Sequence, residues 1–191
     1  MWGYRVKTTL ASAVLALALL HSPPARALDL QGPFFISISG VQGESTQKAH
    51  TDEIEAFNFS ETWRQSTTAG GAGGGTSKPT LGPVVFDKLQ TPSSLKLLGA
   101  LLTGKHFDTV RISFWAQGAK GEERLFYRIT LQTVSVVGMN EKSLGTGLVD
   151  EVQLMFESAK WEVFDPPDSV TFDGKTGKAA ATTPASGRST R

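Results

Sequence analysis

Cysteine is absent from all 191 residues. No disulfide framework can stiffen this fold, and neither a thiolate nucleophile nor a cysteine zinc site is available. Histidine is scarce as well, limited to His21, His50 and His106, and none sits in an H-E-x-x-H pattern. The G-x-S-x-G elbow of α/β-hydrolases is also missing. Ser45, His50 and Asp52 supply the residue types of a catalytic triad, but neighbours on one short segment rarely converge on a single reacting atom. Glu44, Asp52, Glu53 and Glu55 lack EF-hand spacing and read as solvated acids beside a strand rather than as a calcium site or a glycosidase pair. An excess of one charge sign is missing too: the formal net charge is +1. That balance gives no electrostatic case for a nucleic-acid or membrane partner. The expectation is a protein without catalytic, cofactor-binding or metal-binding residues.

A long hydrophobic run is the next absence. The apolar stretch TTLASAVLALALL at residues 8–20 is shorter than the ~20 residues a membrane helix needs, and Pro23-Pro24 follow it closely. Arg5 and Lys7 precede it, and Ala25-Arg26-Ala27 supplies a small-x-small cleavage site. Residues 1–27 therefore read as a secretory signal peptide, with the mature chain starting at Leu28 and no membrane contact after cleavage. Losing Arg5, Lys7 and Arg26 takes the formal charge from +1 to −2, which still specifies no partner.

One phosphate-binding motif is present but incomplete. Gly99 and Gly104-Lys105 have the spacing of a P-loop, with His106 where the magnesium-ligating Ser or Thr belongs. The flanking residues assign these glycines another task. Thr91 and Pro92 mark the start of a helix running to about Thr103, and Gly104 stands at its C′ position. The glycines thus occupy the wrong end of a helix, where orphan carbonyls repel phosphate. Leu95, Leu98 and Leu102 share one face and Leu97 and Leu101 widen it, so most of this helix is expected to be covered, and Leu98→Asp is expected to prevent folding.

Elsewhere the pattern has period two. In DTVRISFWA, Val110, Ile112 and Phe114 alternate with Arg111, Ser113 and Trp115; RLFYRITLQTVSVV repeats the pattern after a polar turn, which predicts a hairpin. PFFISISGV, EIEAFNFS, PVVFDK and VDEVQLMFESAKWEVF complete the strands, the last changing parity in a way that predicts a bulge near Ser158 to Lys160. The expected fold is mainly β, a single domain over residues 28–167. A glycine-rich loop spans residues 67–83, and a small, polar tail over 168–191 is expected to be disordered.

Four blocks together resemble the haemolysin-coregulated proteins, Hcp, of the bacterial type VI secretion machine. These are GESTQKAHTDEIEAFNFS, FDKLQTPSSLKLLGALLTGKHF, LFYRITLQTVSV and DEVQLMFESAKWEVF, in family order across residues 34 to 164. The resemblance implies a compact β-barrel of two packed sheets with one flanking helix, assembling as a homo-hexameric ring that stacks into a tube. Its implied partners are other copies of itself, a contractile sheath, a spike and small effectors. It further implies that the arm after Gly43 reaches a neighbouring subunit, making Glu44, Lys48 and His50 candidate interface residues. Trp115 joins them as an aromatic on the outward face of its strand. Ser60 is the candidate lumen-facing residue, although relatives commonly carry Trp-Ser-Trp-Gly where this chain has Phe59-Ser60-Glu61-Thr62. A signal peptide is foreign to subunits loaded from the cytoplasm, so the alternative is an exported Hcp-like binding or adhesion protein working outside the machine.

Overall fold

The structure is a computed structural model that describes residues 33–65, 78–117, 121–145 and 147–182. The expected signal peptide at 1–27, the expected mature start at Leu28 and most of the glycine-rich stretch lie outside the described residues. Strands β1 (Phe34–Ile38) and β2 (Ile54–Ser60) are followed by the short β3 (Trp63–Arg64) and β4 (Thr80–Leu81), then β5 (Val84–Leu89) and helix α1 (Pro92–Thr103). After the helix come β6 (His106–Gln117), β7 (Glu123–Ser143), β8 (Leu148–Phe164), β9 (Pro167–Asp173) and β10 (Lys178–Thr182). The main sheet runs in the order β10-β9-β8-β5-β2-β1-β6-β7, and pairing of β7 with β8 closes it into a barrel. Closure leaves β8, β5, β2, β1, β6 and β7 without a free edge. The mainly β architecture with one flanking helix is as the alternation implied.

The inward positions of these strands supply the core. Ile36, Ile54, Val84, Phe86, Val110, Ile112, Ile129, Leu131, Val152 and Leu154 are buried together. Phe34 stacks on Phe114 at 4.9 Å and meets Phe59 edge-on at 5.9 Å, closing one end of the barrel with aromatic rings. Asn58 adopts φ 52° where the β2–β5 register shifts, a local bulge that returns Phe59 to this cluster.

The parity change in β8 is real but arises otherwise than expected. Pairing with β7 keeps one register from Gln132↔Ser158 to Val134↔Phe156, so no residue is inserted near Ser158 to Lys160. Thr133 takes φ 51° at this point and lies between the paired positions together with Glu157. Both strands turn over at once, so Leu131 and Ala159 face the core before the bend and Val134 and Leu154 after it.

Helix α1 begins and ends as its caps dictate. Gly104 has φ 67° and the Lys105 N–H donates to Ala100 O at 3.1 Å, so the P-loop spacing belongs to a helix terminator. The covered face needs correction. Leu97 and Ala100 enter the core and α1 packs chiefly on β7, whereas Leu95, Leu98 and Leu102 are 67%, 38% and 76% exposed. Two small residues, Ser93 and Ser94, are buried instead, because Ser94 Oγ accepts from the buried Lys88 described below and Ser93 Oγ donates to Glu44. Leu98→Asp is therefore expected to leave the single chain folded, with unchanged far-ultraviolet circular dichroism. Leu97→Asp, which buries an unpaired charge, is expected to abolish the folded signal.

Over residues 168–182 the expectation of disorder is also corrected, while residues 183–191 of that tail lie outside the described residues. β9 pairs along β8 from Phe164↔Pro167 to Ser158↔Asp173, and β10 pairs along β9. Few apolar side chains are needed, because Phe172 is buried opposite Ala159 and the turn is pinned from elsewhere. Gly174 N–H donates to Glu157 O at 2.7 Å, and Lys78 Nζ donates to Gly174 O at 2.7 Å. A Cβ at Gly177 would lie 2.5 Å from Lys78 Cε, so glycine makes room for the lysine stem. Lys78→Ala is expected to raise amide exchange in β10 by about 2- to 10-fold, the worth of one net hydrogen bond, with barrel amides unchanged.

Candidate functional site

The arm between β1 and β2 is a closed loop rather than an extended one. Gly43 N–H donates to Asp52 O at 2.7 Å, Ser45 N–H to Glu53 O at 3.0 Å and Asp52 N–H to Ser45 O at 3.1 Å, so its two limbs pair. A Cβ at Gly43 would sit 2.1 Å from the Glu53 carbonyl carbon, so only glycine allows this approach. Across the loop, Ser45 Oγ donates to Glu55 Oε1 at 2.9 Å and Gln42 Nε2 to Asp52 Oδ1 at 3.0 Å. Ser45, His50 and Asp52 thus have separate partners and assemble no triad. The four acids of the segment are engaged in the same way, and no group of three metal-binding side chains occurs among the described residues.

His50 anchors the far side of the loop and is only 1% exposed. Its ring stacks on Phe35 at 3.6 Å with a 7° interplanar angle and meets Trp115 edge-on at 4.9 Å. Nδ1 lies 2.9 Å from Glu53 Oε2 and Nε2 lies 3.3 Å from Glu123 Oε2, tying the arm to β1, β6 and β7. Trp115 is half-buried, and its Nε1 is enclosed without a hydrogen-bond partner.

Glu44 anchors the near side. Its Oε2 accepts from Thr91 Oγ1 and Ser93 Oγ, each at 3.1 Å, which places a carboxylate at the positive end of α1. Thr91 N–H donates to Ser94 Oγ at 3.0 Å at the start of the helix, and the Thr91 hydroxyl accepts from Lys88 Nζ at 2.9 Å. Lys88 is fully buried and spends its other donors on Leu89 O at 2.5 Å and Ser94 Oγ at 2.8 Å. Burial pulls its ammonium below the usual lysine range, an effect opposed by the nearby carboxylates of Glu44 and Asp150. A serine hydroxyl beside a buried lysine is the geometry of an activated nucleophile. Here both side chains are sealed in the core, so no substrate reaches Ser94 and the cluster works as a lock joining arm, helix and β5.

Of the five residues singled out by sequence, the structure brings His50 and Trp115 into direct contact. Glu44 stands apart from them at the helix, while Lys48 is exposed on the loop and Ser60 is exposed at the end of β2. Lys88, Ser93 and Ser94 were not singled out, since only their distance in space, not their spacing, couples them to Glu44. Glu61 was noted only as a departure from the Trp-Ser-Trp-Gly pattern. It accepts from Trp161 Nε1 at 3.1 Å, and burial raises its carboxyl pKa above the usual range. Tyr127 is pushed up to about 12 by burial and by Glu61. A raised folded pKa means that the native state keeps this proton longer than the unfolded chain. Glu61 therefore lowers stability as pH rises from the ordinary glutamate value through its raised one. Glu61→Gln is expected to flatten that part of a stability-against-pH profile measured by urea denaturation.

Residues 35–163 match the family described as Type VI secretion system effector, Hcp. The chain belongs to the Hcp family. No curated protein matches it in sequence. Among solved structures it is similar to Hcp1 from Salmonella typhimurium, at 23% identity and a TM-score of 0.64, covering 78% of this chain and 98% of that one. It is similar as well to Hcp1 of the E. coli EAEC 042 pathovar, at 18% identity and a TM-score of 0.66, covering 74% and 97%. A third likeness is to a type six secretion system protein, at 20% identity and a TM-score of 0.69, covering 78% and 99%. At these identities the structural likeness is one of fold, and it spans nearly all of each Hcp chain. The motif of this Hcp-family chain that begins at Gly43 is thereby given a physical meaning, because Gly43, Glu44 and His50 fix the arm's shape. This is a structural protein of type VI secretion, and no helix among the described residues is long and apolar enough to cross a membrane.

Proposed function

We propose that this Hcp-family chain is a non-enzymatic tube subunit that closes into a six-membered ring, with rings stacking into a hollow tube. The observation that carries this reading is the double anchoring of the arm. Glu44 at the helix and His50 under Trp115 hold a surface loop in one shape and leave Lys48 exposed on it. A loop fixed so firmly, in a chain whose polar clusters are sealed from substrate, is preorganised for contact rather than for chemistry. Lys48 makes the direct contact with a neighbouring subunit, Glu44 and His50 act through the arm, and Trp115 stands at its base. Ser60 faces the lumen. The tube's partners are a contractile sheath, a spike and small effectors carried inside.

A second reading rests on Arg5, Lys7, the apolar run and Ala25-Arg26-Ala27. These favour export of a mature chain from Leu28 to the periplasm or beyond, as an Hcp-like binding or adhesion protein. Fractionation with N-terminal sequencing, in the native host and in a strain lacking the sheath, separates the two. An uncut protein released only when the sheath is present supports the tube subunit. A mature end at Leu28 in the periplasm, unaffected by sheath loss, supports the exported protein.

A further inference from the structure

The arm carries a socket at its base and a free cation at its tip. The socket is a cavity of about 230 Å³ walled by Pro33, Phe35, Gln47, Trp115, Gln117 and Glu123. No wall residue is basic, and aromatic walls beside a carboxylate suit a cation carried on an apolar stem. His50 lies between Glu53 and Glu123, so two carboxylates face at most one positive charge there. The site is net negative whichever form the imidazole takes. At the tip, a tight turn from Gln47 to His50 is closed by the His50 N–H donating to Gln47 O at 2.8 Å, which sets Lys48 at its outer corner. Lys48 is exposed there, forms no part of the socket wall and has no ion-pair partner among the described residues.

We propose that Lys48 of one subunit enters the Glu123 and Trp115 socket of the next. The inference rests on the ring reading and supplies the counterpart that Lys48 meets there. Charge complementarity selects the occupant: the socket offers a carboxylate and ring faces, and Lys48 offers an unpaired ammonium on a four-carbon stem. The stem would lie along Pro33 and Phe35, with the ammonium between Glu123 and the Trp115 ring. Glu44 and His50 fix the arm at both ends, so the ammonium is presented in one place and little ordering is left for the encounter. Socket and cation are different surfaces of one chain, which makes the contact heterologous. Each copy gives one lysine and receives one, and none is left over when a ring closes.

The test mixes copies of the chain with and without heavy-isotope label below the assembly midpoint, then concentrates them until light scattering shows assembly. A carbodiimide is added, which joins an ammonium to a touching carboxylate with loss of water, and the digest is read by mass spectrometry. The expected result is a linked Lys48–Glu123 peptide in which light and heavy halves occur mixed. Lys48→Met keeps the stem and loses the charge. With unchanged circular dichroism, it is expected to raise the midpoint concentration of assembly by about 2- to 30-fold, the range of a cation–π contact, while Lys48→Arg stays within about 2-fold. A linked peptide whose halves are always alike would show Lys48 folding back on its own chain and overturn the proposal. A ring that forms without the linked peptide and assembles equally well with Lys48→Met also overturns it, and leaves the ring reading standing. A chain that stays monomeric at every concentration removes the ring reading, and this contact with it.

Discussion

Lys88→Met will lower the stability of this domain by about 3–5 kcal/mol, the usual cost of removing one partner from a buried charge cluster. Methionine keeps most of the stem and the packing, so the loss isolates the ammonium. Without it, Ser94 Oγ and Leu89 O lose a donor, and the half-buried carboxylate of Glu44 and the buried one of Asp150 lose their nearby cation. One oxygen of Asp150 already has no hydrogen-bond partner, which leaves that side chain little slack. For a domain of this size the expected fall in melting temperature is roughly 6–20 °C. Adding Glu44→Gln to Lys88→Met should restore part of the loss, since it removes the charge left unpaired, and a double-mutant cycle measures that coupling. An unchanged melting temperature in Lys88→Met would show that the cluster carries no net interaction.

Gly43→Ala should be damaging as well, although it adds only one carbon. That carbon would lie 2.1 Å from the Glu53 carbonyl carbon and 2.3 Å from its oxygen, and both are backbone atoms that no side-chain rotation can move. The limbs of the arm must part, with loss of the bonds from Gly43 to Asp52 and from Ser45 to Glu53. Overpacking of this kind costs about 1–3 kcal/mol, and each lost hydrogen bond adds about 1 kcal/mol. Urea denaturation should show a lower midpoint with an unchanged slope, and hydrogen exchange should rise over residues 43–53 with little change in the barrel. A normal midpoint with native exchange in the arm would mean that the close approach is not required.

Much of the barrel was legible because its strands carry a clean alternation and its helix carries both stop signals. Val110 and Ile112 fall inward and Gly104 takes the left-handed conformation, each decided by residues nearby in sequence. What was illegible depended on distant partners. Periodicity placed leucines around much of α1 and could not say which stripe is covered. Lys88 on β5 and Glu44 on the arm settle that by binding Ser94 and Ser93, and both lie outside the helix. The β9–β10 hairpin reads as a polar tail because its order comes from the β8 ladder and from Lys78, not from its own apolar content. The arm shows the same limit. The motif containing Glu44 and His50 was visible, but whether these side chains point toward a neighbour or into their own subunit is a matter of geometry. Both turn inward, and Lys48 alone of the three arm residues is left exposed.

The central claim is that this chain is a ring-forming subunit whose arm is set for contact before it meets a partner. Sedimentation velocity on the chain beginning at Leu28, run across a concentration series with electron-microscope images of the same samples, tests it most directly. The account predicts one species at six times the monomer mass that appears as annular particles, and its loss in Gly43→Ala at concentrations where the variant is still folded. A single monomeric boundary at all concentrations, or an assembly of another number that Gly43→Ala leaves untouched, would contradict it.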